Sequence, residues 1–235
     1  MLQDIIQKVT RNAAMQMNRL SYVTTNISNL STNSYKVKNF ETYIDEAGIV
    51  NSTVRTDIRK GAMRATKNNL DLAINGPGYF YVTKPDGTTA YTRDGRLNIN
   101  AKGYLATVDG ALVGNGIKVP INYYKLTIAQ DGTVSVRAKE VDDPKVIGKI
   151  NLVNFPNPAG LKEVKGNLLL PTEASGQPEP MEKVDHIKQG TQEMSNTTIW
   201  DSVSEALRTN GSYISSLRLV KYTDEMYRNS VNLKQ

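Results

Sequence analysis

The single histidine of the chain is its first candidate for chemistry. His186 lies between Asp185 and Ile187, and the sequence holds no cysteine. Structural zinc sites take about four ligands, most of them thiolates or imidazoles. A serine nucleophile needs a histidine base and an acid that orients it. Without cysteine or a second histidine, a typical zinc site is excluded. For His186, a position at a surface or an interface is favoured over a catalytic role. The sequence predicts no catalytic residue and no metal.

Two glycine motifs and one acidic loop resemble ligand-binding motifs only in part. Gly76-Pro77-Gly78 and Gly114-Asn115-Gly116 do not extend into a phosphate-binding G-x-G-x-x-G loop, and neither motif opens a helix. The loop that begins at Asp94 has Arg96 at a position where calcium needs an oxygen ligand, and Leu105 where the acidic twelfth ligand belongs. We expect ordinary turns at strand ends in all three places, and we predict no cofactor.

The positive charge of the chain raises the question of nucleic-acid binding. The formal net charge is +6, and Lys and Arg are spread along the whole sequence. Sites for single-stranded nucleic acids combine such charge with aromatic side chains on which bases stack. The densest basic cluster contains no aromatic residue and is interrupted by Asp57; its members are Arg55, Arg59, Lys60, Arg64 and Lys67. A solvated or subunit-facing surface is favoured, and a basic nucleic-acid-associated protein remains the alternative.

The apolar segments are too short to cross a membrane. Runs such as Leu168–Leu170 fall far below the roughly 20 residues that a spanning helix needs. The first eight residues lack the basic start and apolar stretch of a secretory signal. We therefore expect no membrane insertion, and a protein that either stays in the cytosol or leaves by a route without signal cleavage.

Both terminal segments carry a narrow apolar stripe with steps of three and four residues, which is typical of coiled-coil helices. The N-terminal stripe comprises Leu2, Ile6, Val9, Ala13, Leu20, Val23, Ile27 and Leu30. The C-terminal stripe comprises Ile199, Val203, Ala206, Leu207, Asn210, Tyr213, Ile214, Leu217, Val220 and Tyr227. Ser195 or Asn196 is a plausible N-cap for the second helix. The polar Asn210 within the stripe favours an assembly interface that sets the register, and a plain intramolecular core is the alternative.

The centre of the chain has the short strands and regular turns that are typical of an all-β domain. Short runs rich in β-forming residues alternate with turn dipeptides, at Asp86-Gly87, Asp94-Gly95, Lys102-Gly103, Asp109-Gly110 and Asp131-Gly132. We predict an α+β fold in which a mainly antiparallel β-domain is inserted into a discontinuous terminal α-helical coiled coil. The predicted parts are residues 1–40 with 195–235 for the helices, 41–65 for a connector without clear periodicity, and 66–194 for the β-rich domain.

Three blocks of sequence resemble the flagellar rod and hook axial proteins. Residues 26–36 are similar to the Asn-rich family signature, with Ser34 in place of its usual glycine. Residues 69–80, followed by Tyr91-Thr92-Arg93-Asp94-Gly95, resemble the family core L-D-[LV]-A-I-x-G-x-G-[FY]-F … Y-T-R-x-G. Residues 189–196 resemble the family entry into the C-terminal helix. The second block supplies the fold-signature residues Asp71, Gly76, Gly78, Tyr91, Arg93 and Gly95. The acid Asp71 either forms an ion pair, for which Arg93 is a candidate, or lies on the exposed face of its strand.

The resemblance implies a structural role in the rod of the bacterial flagellar basal body, which crosses the periplasm. Such proteins leave the cell unfolded through the flagellar type III export apparatus, without a cleaved signal, and polymerise beneath a rod cap. Their helices form the inside of a helical homo-oligomeric tube, their β-domains form its outer layer, and neighbouring rod and hook axial proteins continue it. No nucleic-acid partner is implied. The compact segment from Phe40 to Asn69 favours a proximal-rod subunit over a distal-rod or hook-type subunit.

Overall fold

The computed structural model of the chain describes residues 2–46 and 49–232, and its side chains are described for residues 6–46 and 49–229. The chain divides into two compact units. The first draws on residues 1–30, 37–57 and 197–235, and the second on residues 31–36 and 58–196. The α+β class is confirmed, because two long helices accompany sheets whose paired strands are antiparallel.

Two antiparallel helices form the body of the first unit. Helix α1 runs over Leu2–Ser28, which contains neither Gly nor Pro, and helix α2 over Ile199–Asn232. Asn12 Nδ2 donates a hydrogen bond to Ser216 Oγ at 3.1 Å. A second contact pairs Arg19 with Glu205, about two turns further along α1 and about three turns earlier on α2. The N-cap prediction for α2 is wrong. The cap is Thr198, whose Oγ1 accepts a hydrogen bond from the N–H of Asp201 at 3.2 Å.

A β-hairpin completes the first unit, and most of it lies within the predicted connector. Strands β1 (Lys38–Ile44) and β2 (Val50–Thr56) pair antiparallel. Asn26 exchanges two 3.0 Å hydrogen bonds with the backbone of Lys38, the Tyr22 and Phe40 rings lie 5.9 Å apart, and Arg11 donates to Asn51 at 3.1 Å. A strand of seven residues is about 23 Å long, and residues 11 and 26 of α1 lie about 22 Å apart along the helix axis. The hairpin therefore lies along α1.

Short antiparallel strands build the second unit. The largest sheet has the strand order β14-β15-β6-β5-β9-β8-β7-β4-β17, with β13 joining β5 to β16. A small sheet holds β10-β11-β12, and β3 pairs with β18. Their bounds are β3 Met63–Ala65, β4 Asp71–Ile74, β5 Tyr79–Thr83, β6 Thr89–Thr92, β7 Gly95–Ile99, β8 Leu105–Thr107, β9 Leu112–Val113, β10 Lys125–Ile128, β11 Thr133–Arg137, β12 Lys145–Lys149, β13 Leu152–Asn154, β14 Lys162–Val164, β15 Leu168–Leu170, β16 Glu179–Pro180, β17 Ile187–Gln189 and β18 Thr191–Glu193. A short 3₁₀ helix covers Pro158–Gly160.

The largest of three buried apolar clusters in the second unit lies between its sheets. Inward-facing residues alternate along β10 and β11, where Leu126, Ile128, Val134 and Val136 are buried and their neighbours are more exposed. The core also takes the fully buried side chains of β4, β8, β13 and β17, among them Leu72, Ile74, Leu105, Leu152 and Ile187. Strand β17 comes from the far end of the sequence, so the core is complete only when that segment is in place.

Candidate functional site

A buried carboxylate, that of Glu193 at the end of β18, joins three segments of the second unit that are distant in sequence. Its side chain is fully buried. One carboxylate oxygen accepts hydrogen bonds from Lys36 Nζ at 2.6 Å and from the N–H of Gly61 at 3.0 Å. The other accepts a hydrogen bond from Arg93 Nε at 2.9 Å. Glu193, Lys36 and Arg93 are hereafter the ionic cluster.

The cations of the ionic cluster also bind backbone carbonyls. Nη1 of Arg93 donates to the carbonyl of Gly78 at 2.8 Å, and Nη2 donates to the carbonyls of Ile74 and Gly76 at 3.0 and 3.1 Å. The planar guanidinium thus fixes the turn between β4 and β5. Nζ of Lys36 donates to the carbonyl of Arg59 at 2.9 Å. These bonds supply the partners that buried charges require.

The electrostatics of the ionic cluster favour the charged carboxylate. Burial raises the pKa of Glu193, but the charges of Arg93 and Lys36 and their hydrogen bonds outweigh burial, so the pKa lies below its ordinary value. The side chains of Arg93 and Lys36 are only 8% and 12% exposed. Removal of the carboxylate would therefore leave two cations close together with little solvent to screen them.

Asp71 has its own set of partners, and its pairing with Arg93 is not formed. The Asp71 carboxylate accepts hydrogen bonds from Thr66 Oγ1 at 2.7 Å, Gln192 Nε2 at 2.8 Å and Asn68 Nδ2 at 3.1 Å. Arg93 pairs with Glu193 instead, and its guanidinium also binds the carbonyl of Gly78 in the turn that follows β4. The exposed-strand alternative is also wrong, since Asp71 is buried.

The segments 31–36 and 190–196 are hydrogen-bonded to each other beside the ionic cluster. The N–H of Ser34 donates to the carbonyl of Glu193 at 2.9 Å, and the N–H of Asn196 donates to the carbonyl of Tyr35 at 3.2 Å. Ser34 has a positive φ of 58°, which explains the glycine that the family pattern carries at this position. The serine hydroxyl donates to the carbonyl of Arg93 at 2.9 Å. All three blocks of the resemblance therefore meet around one buried charge.

The remaining fold-signature residues have packing roles in the second unit. A Cβ at Gly95 would lie 2.0 Å from the backbone oxygen of Leu72, and a Cβ at Gly76 would lie 2.7 Å from the His186 ring. Gly78 has a φ of +106°, which favours glycine. Tyr91 is buried, and its ring packs edge-on against Phe155 at 4.9 Å. Burial raises its pKa, with a smaller contribution from Tyr81.

In the first unit, the N-terminal stripe is buried only in part. Ala13 and Val23 are buried. Ile6, Val9, Leu20, Ile27 and Leu30 are half-buried. The side chain of Leu2 lies outside the described residues.

The structure divides the C-terminal stripe between two faces of α2. Ala206, Tyr213 and Val220 are half-buried on the side that contacts α1. The other large members of the stripe are exposed by 40–68%: Ile199, Val203, Leu207, Ile214, Leu217 and Tyr227. Asn210 is exposed as well.

The face of α2 toward α1 also buries polar residues, which the apolar stripe did not predict. They are Ser202, Thr209 and Ser216, spaced seven residues apart. Buried side-chain atoms without a hydrogen-bond partner among the described residues are Gln16 Oε1, Arg19 Nε and Thr209 Oγ1, all on these two helices. Small hydroxyl residues at heptad intervals were the signal in the sequence, and a search for apolar residues alone does not detect them. Polar and apolar side chains therefore share the contact between α1 and α2.

The described residues hold neither a metal-binding cluster nor a helix that could span a membrane. Within residues 2–46 and 49–232 there is no group of three or more His, Cys, Asp or Glu side chains that could hold a metal ion. None of the described helices is long and apolar enough to cross a membrane. His186 contacts Asp185 at 3.2 Å and the carbonyl of Pro77 at 2.9 Å, and so supports the turn at Gly76.

Several known proteins are similar to this chain in sequence. The family described as "Flagellar hook protein FlgE/F/G D1 domain" matches residues 73–136. The flagellar basal-body rod protein FlgG of Buchnera aphidicola subsp. Acyrthosiphon pisum is 32% identical over 91% of this chain and 92% of its own. FlgG of Caulobacter vibrioides is 35% identical over 70% of this chain and 72% of its own. The rod protein FlgF of that organism is 29% identical over 90% of both chains.

The fold, the converging signature residues and these relatives define a class of protein, the axial structural proteins of the bacterial flagellum. The chain belongs to the flagellar hook and basal-body rod family. Within it, the chain is a structural subunit of the basal-body rod, acts in motility, and is not an enzyme. Its place is the flagellar basal body, where it assembles with neighbouring axial proteins. Family membership decides against the nucleic-acid alternative.

Proposed function

We propose that the chain polymerises into a helical tube and transmits torque from motor to hook. The supporting observation is the exposed apolar face of α2, with Val203, Leu207 and Leu217 exposed by 40–68% in a member of a rod-forming family. Apolar faces of this kind are buried by association, because removing them from water is favourable. In the tube, residues 1–40 and 195–235 form a coiled-coil inner core, and residues 66–194 form the outer layer.

The ionic cluster has a mechanical role in this proposal. The chain crosses between the two units on both sides of residues 31–36, before residue 58 and after residue 196. The bonds around Glu193 tie residues 31–36, Gly61 and residues 190–196 to the turn 74–78. Force that passes between the helices and the β-rich unit travels through these crossings. A network of charge-assisted bonds, which are about twice as strong as neutral ones, resists their separation.

The proposal also covers the export of the chain and its position in the rod. The chain leaves the cytoplasm unfolded through the flagellar type III export apparatus, without a cleaved signal, and assembles beneath a rod cap. The compact segment from Phe40 to Asn69, with its seven-residue strands β1 and β2, supports a proximal place in the rod. An epitope-tagged subunit should then remain in basal bodies whose assembly stops before the distal rod. Its absence from them would assign the chain to a later section.

A matched pair of helix variants tests the proposed assembly. Ile214→Asp places a charge on the exposed apolar face, whereas Ser215→Asp adds the same charge to an exposed neighbouring position outside that face. A buried unpaired charge costs several kcal/mol and recurs in every subunit of a polymer. We expect Ile214→Asp to abolish filaments in electron micrographs and swimming in a complemented deletion strain, with β-type circular dichroism retained. Normal swimming of Ile214→Asp would contradict the proposed interface.

A further inference from the structure

Six of the exposed apolar residues of α2 lie on one face of the helix. At 100° per residue, Ile199, Trp200, Val203, Leu207, Ile214 and Leu217 fall within an arc of about 100°. Their exposed fractions range from 40% to 81%, with Trp200 the highest. We call these six residues the α2 ridge. The ridge is separate from the Ser202, Thr209 and Ser216 face that contacts α1.

The α2 ridge exposes nearly the area that a specific interface requires. A fully exposed large side chain presents about 150–250 Å². With their exposed fractions, the six residues present roughly 650 Å², close to the ~800 Å² per partner of a stable protein–protein interface. Trp200 is the only tryptophan of the chain, and tryptophan is the residue type most enriched at binding hot spots.

A shallow groove of about 680 Å³ lies on α1. By helical geometry it faces away from Asn12 and Arg19, which contact α2. The residues that line this groove, hereafter the α1 groove, are all uncharged: Met17, Asn18, Leu20, Ser21, Thr24, Thr25 and Ser28.

Three of the four hydroxyl groups of the α1 groove are already satisfied within the helix. Oγ1 of Thr24 donates to the carbonyl of Leu20, Oγ1 of Thr25 to that of Ser21, and Oγ of Ser28 to that of Thr24, each at 2.9 Å. Burial of these three side chains under an apolar partner therefore needs no new hydrogen bond, which lowers the desolvation cost of the groove.

We infer that the α2 ridge of one copy docks into the α1 groove of a second copy of this chain. The inference rests on the proposed function and specifies its first contact. A ridge of large apolar side chains fits an uncharged groove in which four of the seven lining residues carry small hydroxyl side chains, as ridges pack into grooves between helices. Because ridge and groove are different surfaces on one molecule, the contact is heterologous and leaves a free ridge and a free groove at the ends. Such a contact continues into an open helical polymer.

Because the sequence contains no cysteine, introduced cysteines can be cross-linked only to each other, and this tests the pairing. Full-length Ser21→Cys (groove) and full-length Val203→Cys (ridge), each carrying a different tag, are mixed, polymerised and oxidised. The matched control mixes Ser21→Cys with Ser215→Cys, an exposed position on the same helix outside the ridge. A disulfide needs Cα atoms within about 7 Å. We expect at least about tenfold more doubly tagged dimer from the first mixture, because docking raises the effective concentration of the two thiols.

Two further measurements support or overturn the pairing. Ser21→Arg fills the groove and should raise the critical concentration of polymerisation, whereas Ser21→Ala should leave it unchanged. The emission of Trp200 should move to shorter wavelength as polymer forms. Polymer with equal cross-linking in both mixtures, or normal polymerisation of Ser21→Arg, overturns the pairing but leaves the rod function standing. If the unmodified chain does not polymerise, both the pairing and the proposed function are wrong.

Discussion

Replacement of Glu193 by glutamine tests whether the ionic cluster holds the second unit together. The amide keeps the size of the side chain and one acceptor for the N–H of Gly61, which lies 3.0 Å from the carboxylate. It removes the negative charge that Lys36 and Arg93 share at 2.6 and 2.9 Å. Two cations that are 12% and 8% exposed then lose the counter-charge of Glu193.

The expected loss of stability is large compared with the stability of an ordinary domain. Breaking a buried ion pair by removing one partner costs about 3–5 kcal/mol, against a typical total of 5–15 kcal/mol. With a urea dependence of about 2 kcal/mol per molar, the unfolding midpoint should fall by roughly 2 M. The double variant Glu193→Gln with Lys36→Met also removes one of the two cations. It should recover part of the lost stability, because the effects of two interacting residues are not additive.

The assay is urea unfolding of the full chain, followed by the near-ultraviolet circular dichroism of the buried tyrosines. Tyr79 and Tyr91 lie in the core of the second unit, whereas Trp200 reports on α2. The control Glu179→Gln neutralises an exposed acid of the same unit and should change stability by less than about 0.5 kcal/mol. A change below about 1 kcal/mol for Glu193→Gln, comparable with the control, would refute the reasoning.

Two further predictions concern the same unit. Because the pKa of Glu193 is lower in the folded chain than in the unfolded chain, its stabilising contribution is present above its ordinary pKa of 4.5 and is lost as the pH falls through the lower folded value. Urea midpoints of the wild type should therefore drop below about pH 4.5 more steeply than those of Glu193→Gln; parallel pH profiles would count against this. Gly95→Ala should destabilise the fold by about 3 kcal/mol or more, since its Cβ would lie 2.0 Å from the oxygen of Leu72. Gly87→Ala, with a φ of +81° and open space around it, should cost about 1–2 kcal/mol, and equal losses for the two variants would show that the close approach of β4 to β7 is unimportant.

Local sequence signals were sufficient for most of the β-structure. The turns at Gly87, Gly103, Gly110 and Gly132 all have φ between 80° and 85°, and each lies between paired strands. The turn predicted at Asp94-Gly95 is wrong, because this glycine serves close approach between strands and not a hairpin. A dipeptide pattern cannot distinguish these two uses of glycine.

Other features depend on contacts that no local pattern records. The hairpin of β1 and β2 shows no alternation, since residues on both of its faces are exposed, and it escaped prediction for that reason. Residues Lys149 to Phe155 form one run rich in β-forming residues, but the structure divides this run between β12 and β13, which belong to different sheets. Glu193 lies in a three-residue strand, and its partners Arg93 and Lys36 are 100 and 157 residues away. Only the three-dimensional structure brings these charges together.

The sequence separations within the ionic cluster have a consequence for the order of events during folding. Contacts between residues 100 and 157 positions apart form slowly, because a long loop must close before the contact stabilises anything. Until residue 193 is available, Arg93 and Lys36 lack the carboxylate of Glu193, and β17 and β18 are missing from their sheets. A chain synthesised from its N-terminus thus passes through more than four fifths of its length before these contacts can form. In the proposed export through the flagellar type III apparatus, that delay keeps the polypeptide unfolded.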